Sequence, residues 1–507
     1  MRMGVQPQEH IVHRVPTNIM KKLYRLLIIL LIILSIRSVV PSQARAPQQN
    51  YPYRVLLPII IGEPAPPNPF GFDMNSYYDD RVLSFANEAN PRWVRAGDLL
   101  WSEVEPQRGV YNWEVLARLE NNVRRVRAMG FEPLVIIQQS PAWAQRYPGR
   151  LCSPPAAEYM HDFARFTFDV AARYADGPMA IHHWEIWNEP DYAVNEVRDI
   201  QGFGCWFDQN MPGYGGVAYG EMLRLVAPAI HAANPRATVL GGALSYELAV
   251  EQRTQVFVRG ILSTGAANVV DGISFHAYGE WGAGDLLIRK TEQLRALLAE
   301  VGHANKPLFA TEIAANCFSV RFNSLQSALE NEKRFAALQC PSDFNLKQAN
   351  YAARIYAESL ALQLYGAFWF SLVSAGPDFI ANGQLIDDVD GSLQPRPSFY
   401  AFRNSARLLQ NAVYVGAPLR EPPADQLHEV QVLPFRKGKN MLYVFWVPSI
   451  DFPKIYNLPV PPNSIAICTD QLNRDTPTTY MCSDTNGDGL IPRAVNALPQ
   501  YVEVLGQ

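Results

Sequence analysis

Two glutamates stand where apolar runs of the chain end. The first run, His183-Trp184-Glu185-Ile186-Trp187-Asn188-Glu189-Pro190-Asp191, closes on an amide, a carboxylate and a proline; the second, Lys306-Pro307-Leu308-Phe309-Ala310-Thr311-Glu312-Ile313, closes on Thr311-Glu312. A carboxyl group held among rings such as Trp184 and Trp187 is costly to ionise, and its pKa rises toward the range where a general acid works near neutral pH. A partner carboxylate kept ionised nearby serves as nucleophile or base. Pro190 fixes the chain as it leaves the first run. The bland reading of each glutamate is a solvated side chain at a strand-to-loop turn, and Glu312 taken alone is no more than that.

The elements around them decide between the two readings. From residue 70 onward short β-like runs alternate with longer helical ones. Candidate strands are Phe70 to Met74, Trp93 to Ala96, Glu132 to Gln138, His182 to Trp187, Thr238 to Gly242, Val269 to His276, Pro307 to Thr311 and Gly366 to Leu372. Between them Val115, Leu116, Leu119, Val123 and Val126 recur at helical spacing up to Gly130, and Met160, Phe163, Thr167, Val170 and Tyr174 do so up to Asp176-Gly177. The rhythm continues through 219–233, 287–301 and 349–364. Eight strands alternating with helices predict an α/β fold, a (β/α)8 TIM barrel over 70–412, with functional groups at the C-terminal ends of the strands. Beyond Ala412, two runs flanking Arg436-Lys437-Gly438-Lys439-Asn440 read as a hairpin, and 465–468 and 501–505 as further strands. A small C-terminal all-β, sandwich-like domain is expected over 413–507. Its Asp484-Thr485-Asn486-Gly487-Asp488-Gly489 matches the first half of a calcium loop, but position twelve is Val495, so a polar turn is the reading preferred.

Strands four and seven of such a barrel face each other across its mouth. Glu189 and Glu312 there would flank a glycosidic bond, one protonating the leaving oxygen and the other attacking the anomeric carbon. The placement of Asn188-Glu189-Pro190 and Thr311-Glu312 resembles that of the clan of retaining (β/α)8 glycoside hydrolases. The stretch Trp101-Ser102-Glu103-Val104-Glu105-Pro106, followed by Gly109, Tyr111 and Trp113, is similar to the strand-two region of glycoside hydrolase family 39, the β-xylosidase-like family, which also carries an added β domain; family 5 is the competing assignment. The resemblance covers about residues 70 to 412. It implies that Glu189 is the acid/base, Glu312 the nucleophile, and that no cofactor or metal is needed. It further implies that Arg95 lies beside the nucleophile, that Asn188 binds the 2-hydroxyl, that His276 and Tyr278 end strand six, and that Trp369 on strand eight is a sugar platform.

The residue types allow these roles. Tyr278 can donate to Glu312 and Arg95 can supply positive charge, keeping the nucleophile ionised while Glu189 stays protonated. The bland alternatives are a barrel ion pair for Arg95, a core histidine for His276 and packing aromatics for Tyr278 and Trp369. The adjacent His182 and His183 begin a strand and read as structural. Sugars offer apolar faces to rings, and Trp101, Trp143, Trp281 and Trp369 at strand ends are candidates, Trp143 and Trp369 being taken as substrate-binding. The long loop from Asp191 to Tyr214 adds Tyr192, Phe203, Trp206 and Phe207. A non-catalytic carbohydrate-binding protein, an inverting hydrolase and a transglycosylase on the same barrel are the rival readings.

The N-terminus predicts export. Lys21, Lys22 and Arg25 precede the apolar run Leu26 to Leu34, and Ala44-Arg45-Ala46 offers a cleavage site, so residues 1–46 read as a signal peptide and 47–69 as a Pro-rich linker holding one short strand at 55–61. Met20 would be a more ordinary start. The run is too short to span a bilayer, so no stable membrane insertion is expected after cleavage; an uncleaved leader would anchor the chain at the cell surface. An oxidising compartment favours pairing the 6 cysteines. Neighbours are paired here (152 with 205, 317 with 340, 468 with 482), a choice among about fifteen connectivities. Removing residues 1–46, with seven basic side chains and one acidic, takes the formal charge from -4 to -10 and leaves 461 residues. No basic excess is available for a phosphate backbone, which argues against nucleic acid as partner; an oligo- or polysaccharide is the partner the resemblance implies. Oligomeric state is not legible.

Overall fold

The structure, a computed structural model, describes residues 68–506 apart from 75–77, 198–201, 246–250, 280–285, 316–339, 341, 374–382, 390, 423 and 449–452. The leader, the strand expected at 55–61, all but the last two linker residues, Trp281 and Cys317 lie outside the described residues. Eight parallel strands close into a barrel in sequence order: β1 Phe70–Asp73, β2 Trp93–Leu100, β3 Glu132–Gln138, β4 His183–Ile186, β5 Thr238–Leu244, β6 Gly272–Gly279, β7 Leu308–Ala315 and β8 Gly366–Phe370. A helix follows each strand: α1 Asp80–Ala89, α2 Ala117–Ala128, α3 Met160–Arg173, α4 Gly216–Ala233, α5 Glu251–Ser263, α6 Leu286–Glu300, α7 Phe344–Ala361 and α8 Pro397–Leu409. Among the described residues no helix is long and apolar enough to cross a membrane.

All eight expected strands are present, with shifted ends. β6 starts at Gly272 rather than Val269, because Val269 and Val270 follow a 3-10 turn and the Asp271 carboxylate accepts from Val239 N at 2.7 Å. It then runs on to Gly279, paired with Ala315, so His276 and Tyr278 both lie within the strand. The helix ends follow their local signals. Asp79 caps α1, accepting from Val82 N at 2.9 Å, Asn90 closes it in the left-handed region, and Pro397 opens α8.

Inside the barrel, alternate residues point inward and form layers. Trp93, Leu134, Leu240, Phe309 and Phe368 make an apolar layer nearer the N-terminal ends of the strands. Each such side chain taken from water contributes about 1.5–3 kcal/mol. Toward the C-terminal ends the inward positions become charged, with Asp73, Arg95, Glu185 and Glu312 all buried. That switch from grease to charge locates the working end of the barrel.

The stretch carrying the family resemblance proves to be a packing unit. The buried Glu105 carboxylate accepts from Trp101 Nε1 at 2.7 Å, Gly109 N at 2.6 Å and Arg165 at 2.6 Å, while Trp101 stacks among Phe163, Phe166 and Trp143. It braces α3 against the loop after β2.

The C-terminal region follows a hairpin, β9 Ile386–Val389 and β10 Ser392–Pro395, that precedes α8. β11 Val413–Tyr414, β12 Gln431–Lys437, β13 Asn440–Trp446, β15 Ala466–Asp470, β16 Thr478–Met481 and β18 Gln500–Val504 form one antiparallel sheet in the order 11-12-13-18-15-16; β14 Lys454–Pro459 and β17 Leu490–Val495 form a separate ribbon. The two-residue period of a strand explains the layering. Leu442, Val444, Trp446 and Tyr501 join the barrel's core, while Phe445, Val447, Val502 and Val504 face the ribbon's Leu458, Ile491 and Val495. The Tyr501 hydroxyl donates to Ala353 O on α7 at 3.0 Å, fastening the sheet to the barrel. Cys468 and Cys482 are bonded, as expected.

Candidate active site

β4 ends one residue earlier than expected, at Ile186, because the backbone turns sharply there. Trp187 has φ 72 and Glu189 φ 44, left-handed conformations that a bulky side chain adopts only when its surroundings enforce them. The enforcement is visible. Trp187 N donates to Ile137 O at 2.9 Å and its indole to Gly204 O at 3.0 Å; Glu189 N donates to Ala243 O at 3.0 Å. Ala243 follows Gly242, whose φ of 135 and position against Ser274 O, 2.3 Å from where a Cβ would lie, require glycine. The Asp191 carboxylate then accepts from Ser245 N at 2.9 Å and Thr254 Oγ1 at 3.1 Å, pinning the chain just after Pro190 to β5 and α5.

The loop after β4 folds back on this turn. Gly204 N donates to Asn188 O at 3.0 Å, and the neighbouring Cys205 is bonded to Cys152 in the loop after β3, the pairing expected. In the chain-entropy picture a bridge of this span contributes about 3–4 kcal/mol. Reduction is expected to lower turnover and open the segment around Gly204 to limited proteolysis while the far-ultraviolet circular dichroism of the barrel persists. Full activity after reduction verified by thiol titration would contradict this. The expected bond from Cys317 to Cys340 falls on residue 317, outside the described residues.

Across the mouth, Glu312 is 6% exposed and held from two sides. Arg95 Nη1 lies 2.5 Å from its Oε1, and the Tyr278 hydroxyl donates to its Oε2. His276 Nδ1 lies 2.8 Å from Glu189 Oε1 and 3.4 Å from Glu312 Oε2, so one imidazole touches both carboxyl groups. Arg95 also donates to Asn188 Oδ1 at 2.7 Å, which leaves the Asn188 amide N–H groups as the donors available to a ligand. The structure therefore brings Arg95, Asn188, Glu189, His276, Tyr278 and Glu312 into one cluster.

Two members of the charged layer escaped the sequence reading. Glu185 is fully buried and meets Arg95 at 2.8 Å, and Asp73 meets it at 3.5 Å. Arg95 is thus both the barrel ion pair and the neighbour of Glu312. A glutamate at an inward position of a buried parallel strand was the available signal, since such a charge demands a partner.

Burial is the largest influence on Glu312 and pushes its carboxyl above the usual range; His276, Arg95 and Tyr278 pull it back, and Glu189 pushes it further up. The partner residues visible in sequence favour an ionised carboxylate, and the burial that only the fold creates opposes them. Burial likewise brings His276 down to about 4, so the imidazole is neutral at ordinary pH, and burial beside Glu312 keeps the Tyr278 hydroxyl protonated as a donor. A carboxylate with a raised pKa is ionised only above that pKa, and Tyr278→Phe removes a contribution that lowers it. The acidic limb of kcat/KM should therefore move to higher pH in Tyr278→Phe, with kcat falling about 10- to 100-fold, the worth of a hydrogen bond to a charged group. An unmoved limb would contradict the geometry.

Of the two expected sugar platforms, Trp369 lies in the core and Trp143 in an aromatic cluster beside Trp101. Trp369 is fully buried on the helix side of β8, its indole donating to Gly383 O at 2.8 Å and its ring 6.0 Å from Tyr351 on α7. The two-residue period is the reason: Phe368 points into the barrel, Trp369 out, and Phe370, opposite Asp73 and 6.2 Å from the Tyr278 ring, points in. Trp143 donates to Glu105 O at 3.0 Å and packs edge-on against Trp101 and Tyr159; no described contact joins it to the carboxyl cluster. Trp101 and Trp206 are fully buried as well. His182 and His183 are structural as expected, bonded to Asn234 and edge-on to Trp93.

Glu189, His276 and Glu312 place one donor atom each within 4.8 Å of one another, close enough in principle for a cation. Both Glu312 oxygens already accept from Arg95 and Tyr278, and a cation there would meet a guanidinium, so the donor set fits proton transfer better than metal ligation. At 484–489 the Asp484 carboxylate accepts from Asn463 N, Gly487 N and Gly489 N at 2.8, 2.9 and 2.9 Å, the geometry of a capped polar turn.

No family model and no curated protein matches the chain. Solved structures do. A family 39 glycoside hydrolase from the gut symbiont Bacteroides cellulosilyticus matches with TM-score 0.60 at 20% identity, over 86% of this chain and 81% of that one. A family 30 endoxylanase from Clostridium papyrosolvens matches with TM-score 0.55 at 12% identity, over 87% and 96%. An alpha-L-arabinofuranosidase from Thermotoga maritima matches with TM-score 0.52 at 12% identity, over 87% and 97%. At such identities the likeness is one of architecture: the chain has the fold of (β/α)8 glycoside hydrolases, a closed parallel barrel with antiparallel β sheets beside it.

Proposed function

We propose that the protein is a secreted retaining glycoside hydrolase acting on the β-glycosidic bonds of oligo- or polysaccharides. The observation that carries the reading is the pair of carboxyl groups at the ends of β4 and β7. Their nearest oxygens lie within 4.8 Å. Retaining enzymes hold their two carboxyl groups about 5–5.5 Å apart, and inverting enzymes about 6.5–9.5 Å to admit a water.

The surroundings favour Glu312 as nucleophile and Glu189 as acid/base. Glu312 is the more enclosed and carries the guanidinium and hydroxyl that would hold its carboxylate. The Glu189 side chain is 14% exposed and can exchange its proton with solvent. In the first step Glu312 attacks the anomeric carbon, the bond to the leaving oxygen breaks, and the Glu189 proton passes to that oxygen. In the second, Glu189 takes a proton from water, the water oxygen attacks the anomeric carbon, and the Glu312 ester bond breaks. Two displacements restore the starting configuration. His276, neutral, lies within hydrogen-bond distance of both carboxyl groups and can orient them without adding a charge. No cofactor enters either step.

The test is a screen of aryl β-glycosides, aryl α-L-arabinofuranoside and plant polysaccharides, with Glu189→Ala and Glu312→Ala as controls, followed by nuclear magnetic resonance of the first product. Turnover lost in both variants and a first product of retained configuration support the reading. Wild-type turnover in both variants, or an inverted product, overturns it.

A further inference from the structure

One carboxylate at the barrel mouth is used by none of these steps. Asp98 near the end of β2 is aligned with Ile136 of β3, which is aligned with Glu185 of β4, so Asp98 stands two strands from Glu185, about 10 Å away. Unlike Asp73 and Glu185, it makes no ion pair with Arg95 and is exposed. Its one described hydrogen bond comes from Gln138 Nε2, 3.1 Å from Oδ2. Gln138 is 4% exposed, and no donor reaches its Oε1. Packing around the carboxyl, the largest influence, raises the Asp98 pKa against the pull of Arg95 and the Gln138 hydrogen bond.

We propose that Asp98, tethered by Gln138, accepts a hydroxyl of the sugar that reacts between Glu189 and Glu312, and that this site takes a neutral glycosyl unit and rejects one bearing a carboxylate. The proposal rests on the glycosidase reading and names the substrate class. An O–H donated to a carboxylate is among the stronger neutral-to-charged hydrogen bonds, and sugars present such donors around the ring. The charge balance sets the exclusion. Among the described residues, Asp73, Asp98, Glu185 and Glu312 stand against the single guanidinium of Arg95, with Glu189 protonated as the acid and His276 neutral. A uronic acid would bring a further negative charge into that field, where the one described guanidinium is already engaged by carboxylates.

The experiment compares wild type, Asp98→Asn and Glu312→Ala on 4-nitrophenyl glycosides of neutral sugars and of glucuronic acid, and on monodeoxy analogues of the best neutral substrate. Thermal melting confirms that Asp98→Asn folds. The expected result is kcat/KM at least about 100-fold higher for the neutral sugar than for the glucuronide, and a loss of about 10- to 100-fold in Asp98→Asn. One deoxy analogue should cost the wild type that much and Asp98→Asn no more than about twofold, as a coupled pair requires. Asp98→Asn within about twofold of wild type on the neutral substrate, or the glucuronide as the faster substrate, overturns the proposal. Loss of turnover in Glu312→Ala keeps the glycosidase reading standing in that event, whereas no turnover by wild type on any substrate overturns both.

Discussion

Glu312→Ala is expected to lower kcat about a hundred-thousand-fold, because removing the nucleophile of a covalent mechanism leaves only binding and electrostatic effects. The side chain is lost from a place where Arg95 and Tyr278 remain aimed at an absent carboxylate, so a small anion fits the position. Added azide should restore part of the turnover on an activated aryl glycoside and yield a glycosyl azide of inverted configuration, since a single displacement then replaces two. That outcome separates a nucleophile from a residue that merely supports the fold. Activity within about tenfold of wild type, or azide rescue with retention, would contradict the assignment.

The second large effect concerns Arg95. Its guanidinium meets Glu312 at 2.5 Å, Glu185 at 2.8 Å and Asp73 at 3.5 Å, all in the barrel interior. Arg95→Met leaves these carboxyl groups without their cation and should cost about 3–5 kcal/mol of stability, along with most activity. Lysine will not substitute well, because one ammonium cannot hold the forked contacts to Glu185, Asn188 and Glu312. Adding Glu185→Gln to Arg95→Met removes one orphaned charge and should return part of the lost stability with no return of activity. Chemical denaturation of wild type, Arg95→Met, Glu185→Gln and the double variant measures this. Additive losses would show that Glu185 and Arg95 do not act as a pair.

Much of the barrel was legible because its signals are local. Short apolar runs separated by helical stripes placed all eight strands, and the two glutamates stood at strand ends, where a barrel gathers its chemistry. What failed was finer than a strand's period. Trp369 and Phe370 differ by one position, and one position decides whether a ring faces the mouth or α7; an aromatic pair in sequence does not say which. Trp101 looks like a platform by composition and is core because Phe163 and Phe166 come from a distant segment to cover it, as Tyr219 covers Trp206 of the long loop. Glu185 sits within an apolar run, and only the closed barrel shows that its side chain turns inward to meet Arg95. The burial of Glu312, which raises its pKa against the pull of its partners, depends on how four strands converge, and no spacing in the chain encodes that.

The most direct test of the central claim is labelling with a 2-deoxy-2-fluoro glycoside carrying a good leaving group, chosen from the sugar that the screen identifies. The fluorine slows both steps, and the leaving group speeds only the first, so a glycosyl-enzyme accumulates. The expected result is one sugar per protein, located by peptide mapping on Glu312, with labelling slowed when a competitive substrate is present. A label on any other residue, or turnover of the parent substrate with no covalent adduct, would contradict Glu312 as the nucleophile of a retaining enzyme.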